Sequence, residues 1–199
     1  GALDAGIGSV VEKLQGKELI LIPVLMFVFS LGGTSFGMAE ETIAFTALVT
    51  TTMIVAGFDP LVSVGTIILG AGSGVLGSTV NPFLVSTSIG ALKGVGIEVN
   101  QVIVIATGIA LWLSSLLISI YFVMKYAKSL QKDKKATLLS QKEINEANET
   151  FLGKKNSEEV VEFTTKRRIV LGLFALTFVV MVAAVIPWEE FGVTIYSKT

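Results

Sequence analysis

Cysteine and histidine are both absent from this chain, and charged residues make up only 16% of its 199 residues. Without cysteine, thiol nucleophiles, disulfides and thiolate metal sites are excluded, and without histidine the usual imidazole base and metal ligand are missing. We therefore predict a protein that is not an enzyme and that has neither a metal site nor a resident cofactor.

A strongly basic surface is also missing. The 15 lysines and arginines nearly balance 16 aspartates and glutamates, for a formal net charge of −1, whereas nucleic-acid binding needs concentrated positive charge to release counterions from phosphates. No nucleic-acid partner is expected. Apolar residues dominate instead, at 52% of the chain with a mean hydropathy of +0.75. The predicted fold class is an all-α integral membrane protein whose partner is the lipid bilayer.

Two uncharged stretches in the second half of the chain predict simple membrane spans, because a charge near the bilayer centre costs about 2.5–3.5 kcal/mol. We predict transmembrane helices at Gln101–Met124 and Ile169–Pro187. The segment between them, 125–168, holds eleven of the 15 basic residues. The positive-inside rule therefore predicts a basic cytoplasmic loop, partly helical, with the tail 189–199 on the outer side.

The segment 19–57 predicts a re-entrant hairpin. Its first apolar arm gives way to Gly32-Gly33-Thr34-Ser35-Phe36-Gly37, the carboxylates Glu40 and Glu41 follow, and a second apolar arm runs to Phe58. Two apolar arms around a glycine-rich polar tip are typical of a segment that enters and leaves the membrane on one face. We expect a functional role for at least one of the two carboxylates, and the alternative is that both are solvated among the lipid headgroups.

The next segment, 61–92, predicts one broken helix. It is too long for an untilted span, and Ser78-Thr79-Val80-Asn81-Pro82 interrupts it where proline removes a backbone donor. Secondary transporters hold substrates and coupling ions at such breaks, where unwound backbone is satisfied by protein or water. The structural alternative is glycine for helix packing, which we expect of Gly70, Gly74 and Gly90, and hydroxyls that bond back to helix carbonyls. The two breaks predict a substrate- or ion-binding site, formed by Gly33, Thr34, Ser35, Gly37, Glu40, Glu41, Ser78, Thr79, Asn81 and Pro82.

Three stretches carry a resemblance to a known family: GALDAGIG at 1–8, IPVLMFVFSLGGTSFGMAEETIAF at 22–45 and GAGSGVLGSTVNPF at 70–83. They are similar to the YfcC-like branch of the C4-dicarboxylate anaerobic carrier family, within the ion transporter superfamily. The resemblance implies a carrier or exchanger of the bacterial plasma (inner) membrane, built from inverted repeats, in which hairpin tip and broken helix form half of the substrate site. It also implies a homodimer and further helices beyond those present here.

The resemblance divides the chain into a transport-core portion, 1–124, the basic loop 125–168, and a segment 169–199 that opens the next section. Because the chain begins at Gly1 without an initiator methionine, we expect it to be a piece of a longer protein.

The residues and the family name indicate different classes of substrate. Dicarboxylate recognition favours arginine or lysine, yet Lys93 is the only basic residue between Leu19 and Met124. Glu40 and Glu41 favour a substrate that bears an ammonium group. We therefore predict exchange of small amino or carboxylic acids, with cationic amino acids ahead of C4-dicarboxylates and coupling to H+ or Na+ left open. An ion channel and a non-transporting membrane assembly subunit are the alternatives.

Overall fold

The computed structural model describes residues 16–152 and 164–185, together with residues 9, 13 and 188. All regular structure within these residues is helical, so the predicted all-α fold class is confirmed for this part of the chain. The tail 189–199 and the predicted helix end at Pro187 lie outside the described residues. The helices are, in chain order, α1 (Glu18–Phe36), a 3-10 helix (Glu40–Phe45), α2 (Thr46–Val55), α3 (Pro60–Gly77), a π-helical segment (Pro82–Ser86), α4 (Thr87–Gly94), α5 (Gln101–Lys132), a 3-10 helix (Lys134–Ala136), α6 (Gln141–Leu152) and α7 (Thr165–Val185).

Among the residues that the structure describes, three helical segments are long and apolar enough to cross a membrane, namely Leu19–Phe36, Pro60–Gly94 and Gln101–Lys132. They indicate a multi-pass membrane protein, because about 20 apolar helical residues span the hydrocarbon core. In contrast, α2 has only 10 residues and is too short to cross alone. The two arms of the predicted hairpin are therefore unequal, and since α1 is long enough to cross by itself, the re-entrant path stays a prediction.

An apolar cluster joins the first helices to α5. Leu25 and Phe29 of α1 are fully buried in it, and they share the cluster with Met53 of α2, Val62 of α3 and Ala127 of α5. The outer surface of the described residues is apolar as well, since many large apolar side chains are exposed there. An apolar exterior around a packed interior is what a bilayer-facing bundle requires, because lipid tails solvate apolar side chains.

Small residues allow α1 and α3 to cross closely. A Cβ atom at Gly74 would lie 2.1 Å from the carbonyl oxygen of Ser30, and one at Gly70 would lie 2.9 Å from the Cα of Met26. These two glycines therefore serve helix packing, as predicted. For Gly90 the packing role stays a prediction, because no heavy atom of the described residues, other than its own helix backbone and chain neighbours, lies within 4 Å of the position its Cβ would take.

The first polar break begins later than the sequence predicts. α1 continues through Gly32 and Gly33 to Phe36, although a glycine pair favours an earlier helix end. Packing explains the difference, since a Cβ at Gly33 would lie 2.4 Å from the carbonyl oxygen of Ala71 in α3. The glycine at position 33 thus permits a helix contact and does not start the turn.

Two other helices extend into the predicted basic loop. α5 continues past Met124 to Lys132, because lysine is a good helix former and the helix loses nothing on leaving the hydrocarbon. α7 begins at Thr165, ahead of the predicted Ile169. Within the loop, α6 is amphipathic and contacts α2, where the Thr51 hydroxyl donates to the carbonyl oxygen of Phe151 at 3.3 Å.

Candidate functional site

The first break follows the end of α1. Gly37 takes a left-handed conformation, with φ 83°, and its N–H donates to the carbonyl oxygen of Gly33 at 3.0 Å. Only glycine adopts this conformation freely, so it ends the helix at this position. Met38 then folds back, its N–H donating to the carbonyl oxygen of Gly32 at 3.2 Å.

The second break separates α3 from the π-helical segment. Ser78 is the one described residue other than glycine with a positive φ, 27°, a strained conformation of the kind that concentrates at functional sites. Asn81, 1% exposed, caps the following helix, since its Oδ1 accepts from the N–H groups of Phe83 at 2.9 Å and Leu84 at 3.3 Å. Pro82 takes the first helical position, where its missing N–H costs nothing.

The last turn of α1, just before the first break, contacts the second break through a pair of threonines. The hydroxyls of Thr34 and Thr79 lie 3.2 Å apart, and the N–H of Thr79 donates to the Thr34 hydroxyl at 3.2 Å. The Thr79 hydroxyl also donates to the carbonyl oxygen of Thr34 at 3.4 Å. Both side chains are buried. The last turn of α1 is therefore joined to the broken helix by polar groups at the point where α3 ends.

A second contact between the breaks runs through Gly37 and Asn81. A Cβ at Gly37 would lie 2.7 Å from Nδ2 of Asn81, so the amide side chain packs directly against the glycine backbone. The same Nδ2 donates to the Ser78 hydroxyl at 3.3 Å. Any side chain at position 37 would displace this amide, which is a second reason for glycine there in addition to its backbone conformation.

The remaining nominated residues lie apart from this contact. Ser35 is buried, but its hydroxyl bonds back to the carbonyl oxygen of Leu31 in its own helix. This is the structural role that the sequence offered as the alternative to ligand binding. Glu40 and Glu41 are exposed on the 3-10 helix that follows the break, and Glu41 accepts from the N–H of Ala39 at 3.2 Å. The role of the two carboxylates stays a prediction.

Sequence reasoning missed a polar cluster around Asp59. This carboxylate is 8% exposed, and its Oδ1 caps α3 by accepting from the N–H of Val62 at 3.2 Å. Its Oδ2 accepts from the hydroxyls of Tyr126 and, at 2.7 Å, Thr137. Asp-Pro at a helix start is a signal that the sequence does contain. The partners are 67 and 78 residues away along the chain, so no local pattern could reveal them.

Trp112 of α5 was also not foreseen. A Cβ at Gly77 would lie 2.3 Å from the Cβ of Trp112, which places the tryptophan against the last residue of α3 before the break. Its Nε1 is buried and has no hydrogen-bond partner within the described residues. Because buried tryptophan N–H groups usually find a partner, this donor is a candidate contact for a ligand or for a part of the protein outside these residues.

The joined breaks form a neutral polar site. Hydroxyls, an amide and backbone groups make up 34–37 and 78–82, and neither segment contains an ionisable side chain. The described residues contain no group of three or more acidic side chains that could hold a metal ion. Such a site can bind an ion or polar ligand through backbone groups at helix ends.

Comparisons with known proteins agree with the resemblance in the sequence. The DcuC family model, described as C4-dicarboxylate anaerobic carrier, matches residues 1–196. A protein of Escherichia coli K12, provisionally named the basic amino acid antiporter YfcC, is 30% identical over 200 residues, covering 98% of this chain and 35% of the relative. An uncharacterized protein of Haemophilus influenzae is 27% identical over 183 residues, covering 92% of this chain and 35% of the relative.

No solved structure matches the chain significantly. The chain spans about a third of the length of these curated relatives, at 35% in each case. The family match nevertheless covers nearly the whole chain, including both helix breaks. This chain belongs to the C4-dicarboxylate anaerobic carrier family.

Proposed function

We propose that the chain is part of a secondary active carrier or exchanger of small organic ions. The observation that carries the proposal is the contact between Thr34 and Thr79, which joins two helix breaks in a chain of a carrier family. Breaks of this kind leave helix ends, with their partial charges, inside a membrane protein, where they bind substrates and coupling ions. The residues proposed to line the site are Thr34, Gly37, Ser78, Thr79 and Asn81.

For the substrate we propose cationic amino acids ahead of C4-dicarboxylates. The relative from Escherichia coli carries an antiporter name for basic amino acids, whereas the family description names C4-dicarboxylates. Lys93 is the only basic residue between Leu19 and Met124 and it lies at the exposed end of α4. Glu40 and Glu41 supply negative charge after the first break, which favours an ammonium group.

The setting of this site belongs to the same proposal. We place the chain in the bacterial plasma membrane with the loop 125–168 in the cytoplasm, because the basic residues cluster there. The other half of the site would come from an inverted repeat elsewhere in the full-length protein, which we expect to form a homodimer. Coupling would use H+ or Na+, and no resident cofactor takes part.

Counterflow in proteoliposomes tests the function. The full-length parent is loaded with unlabelled arginine, and entry of labelled arginine is followed with and without external succinate. Accumulation that succinate does not reduce supports a cationic amino acid exchanger. If arginine does not accumulate, the experiment is repeated with vesicles loaded with succinate. Exchange of succinate in that second experiment would show that the preference for cationic amino acids is wrong, while the carrier proposal stands. Absence of exchange for both classes, in protein that remains folded, counts against the carrier proposal.

Thr79→Val and Thr79→Ser test the proposed site. Valine has the shape of threonine without the hydroxyl, so it leaves the Thr34 contacts unmade, and we expect exchange to fall about tenfold or more. Serine keeps the hydroxyl and should retain most activity. Thr177→Val is a matched control, because the exposed Thr177 hydroxyl donates to the carbonyl oxygen of Leu173 in its own helix α7 at 2.9 Å and lies outside the proposed site. Equal activity of the valine and serine variants at position 79 would contradict the site.

A further inference from the structure

The end of α5 carries a row of lysines on one face. Lys125, Lys128 and Lys132 follow Tyr121 at intervals of four, three and four residues, the spacing that aligns side chains along one side of a helix. All four side chains are exposed. They line a cleft of about 410 Å³ together with Met124 and Ser129. We call the three lysines of this cleft the lysine stripe.

Helix length places the stripe at the depth of the lipid headgroups. α5 has 32 residues and is about 48 Å long. Its uncharged part, 102–124, is about 34 Å long, which fills the hydrocarbon core of about 30 Å. The helix turns that carry the stripe therefore extend into the layer of phosphates, while Tyr121 and Met124 lie next to the acyl chains.

The stripe has no acidic partner within the described residues. The Asp133 carboxylate accepts from the N–H of Lys135 at 2.9 Å, and Glu143 accepts from the Ser140 hydroxyl at 2.7 Å. Glu146 lies 3.8 Å from Lys142. The carboxylates closest in sequence are thus engaged elsewhere, and the ammonium groups of the stripe are available to an external anion.

We propose that the lysine stripe binds the headgroup of an anionic phospholipid. The lysines supply positive charge at phosphate depth, and the apolar lining of Tyr121 and Met124 suits the first carbons of an acyl chain. A soluble anion would gain only the charge, whereas a lipid gains both contacts. This binding is separate from substrate exchange, since the stripe lies at the opposite surface of α5 from the buried Ala127 and Val123.

Native mass spectrometry of the full-length protein in detergent tests the proposal. Phosphatidylglycerol and phosphatidylcholine are offered together, and the bound lipid is counted. We expect a preference for phosphatidylglycerol that weakens as the salt concentration rises. In the single, double and triple glutamine variants up to K125Q/K128Q/K132Q, this preference should fall about fivefold for each lysine removed. The triple arginine variant at the same positions keeps the charge and should keep most of the preference.

A control variant, K17Q/K93Q/K142Q, removes the same total charge from positions off the stripe and should bind phosphatidylglycerol as the parent does. Circular dichroism and size exclusion verify that each variant is folded. Unchanged lipid preference in the triple glutamine variant of the stripe would overturn the proposal, and so would an equal loss in the control. Displacement of phosphatidylglycerol by excess inorganic phosphate would identify a general anion site and overturn the lipid assignment.

Discussion

Replacing Gly74 with alanine tests the close crossing that positions the two breaks. The added Cβ would lie 2.1 Å from the carbonyl oxygen of Ser30 and 2.8 Å from the backbone N of Thr34, whereas ordinary contact begins near 3.4 Å. Both neighbours are backbone atoms of α1, so no side-chain rotation relieves the overlap. α1 and α3 must separate by about 1 Å, which shifts Thr34 away from Thr79.

The change in the free energy of unfolding of this variant is the sum of two opposing contributions. Overpacking of a tight contact costs about 1–3 kcal/mol, and a clash with rigid backbone belongs at the upper end. Alanine in a helix recovers about 1 kcal/mol relative to glycine. We therefore expect Gly74→Ala to lower the free energy of unfolding by about 2 kcal/mol.

The matched control is Gly72→Ala, two residues away on α3, where no described residue outside the helix's own backbone has an atom within 4 Å of the Cβ position. That variant should be as stable as the parent or up to about 1 kcal/mol more stable. Unfolding is followed in detergent by titration with dodecyl sulfate, using far-UV circular dichroism and tryptophan fluorescence, to which Trp112 beside α3 contributes. If both alanine variants unfold at the same dodecyl sulfate fraction, the close crossing is refuted.

Three further predictions concern polar contacts. Tyr126→Phe removes the hydroxyl that donates to Asp59, and should cost about 1.5–3 kcal/mol in the same titration; an unchanged midpoint would show that the cluster does not hold α5 to α3. Asn81→Ala removes the cap of the helix after the break and should cost about 0.5–2 kcal/mol, whereas Asn81→Asp keeps the accepting oxygen; equal stability of these two variants argues against the cap. The hydroxyl and N–H of Ser140 lower the pKa of Glu143, so its contribution to α6 is present above the ordinary carboxyl pKa and is lost as the pH falls through the lowered value. NMR shifts of α6 should record this titration, and Ser140→Ala should return the pKa toward its ordinary range; a pKa unchanged by that substitution contradicts the assignment.

Local chemistry accounts for what the sequence could predict. The membrane class follows from long uncharged stretches, because each charge in hydrocarbon is costly wherever the chain folds. The break after Gly77 follows from Pro82 and Asn81, since proline lacks a donor and asparagine caps a helix start. The family could also be identified from 22–45 and 70–83, because short unusual polar stretches in an apolar chain are distinctive.

Tertiary structure decided which of the polar residues act together. Gly33 remains helical because α3 packs against it. Helix propensities describe single residues and do not include such a contact between helices. Thr34 and Ser35 are adjacent and both hydroxyl-bearing, yet only Thr34 reaches across to Thr79, 45 residues away, while Ser35 bonds back to its own helix. Composition and spacing determined that this chain lies in a membrane with broken helices. Which side chains meet at the breaks depends on how two helices rotate and cross, and the packing of glycine against backbone sets that geometry.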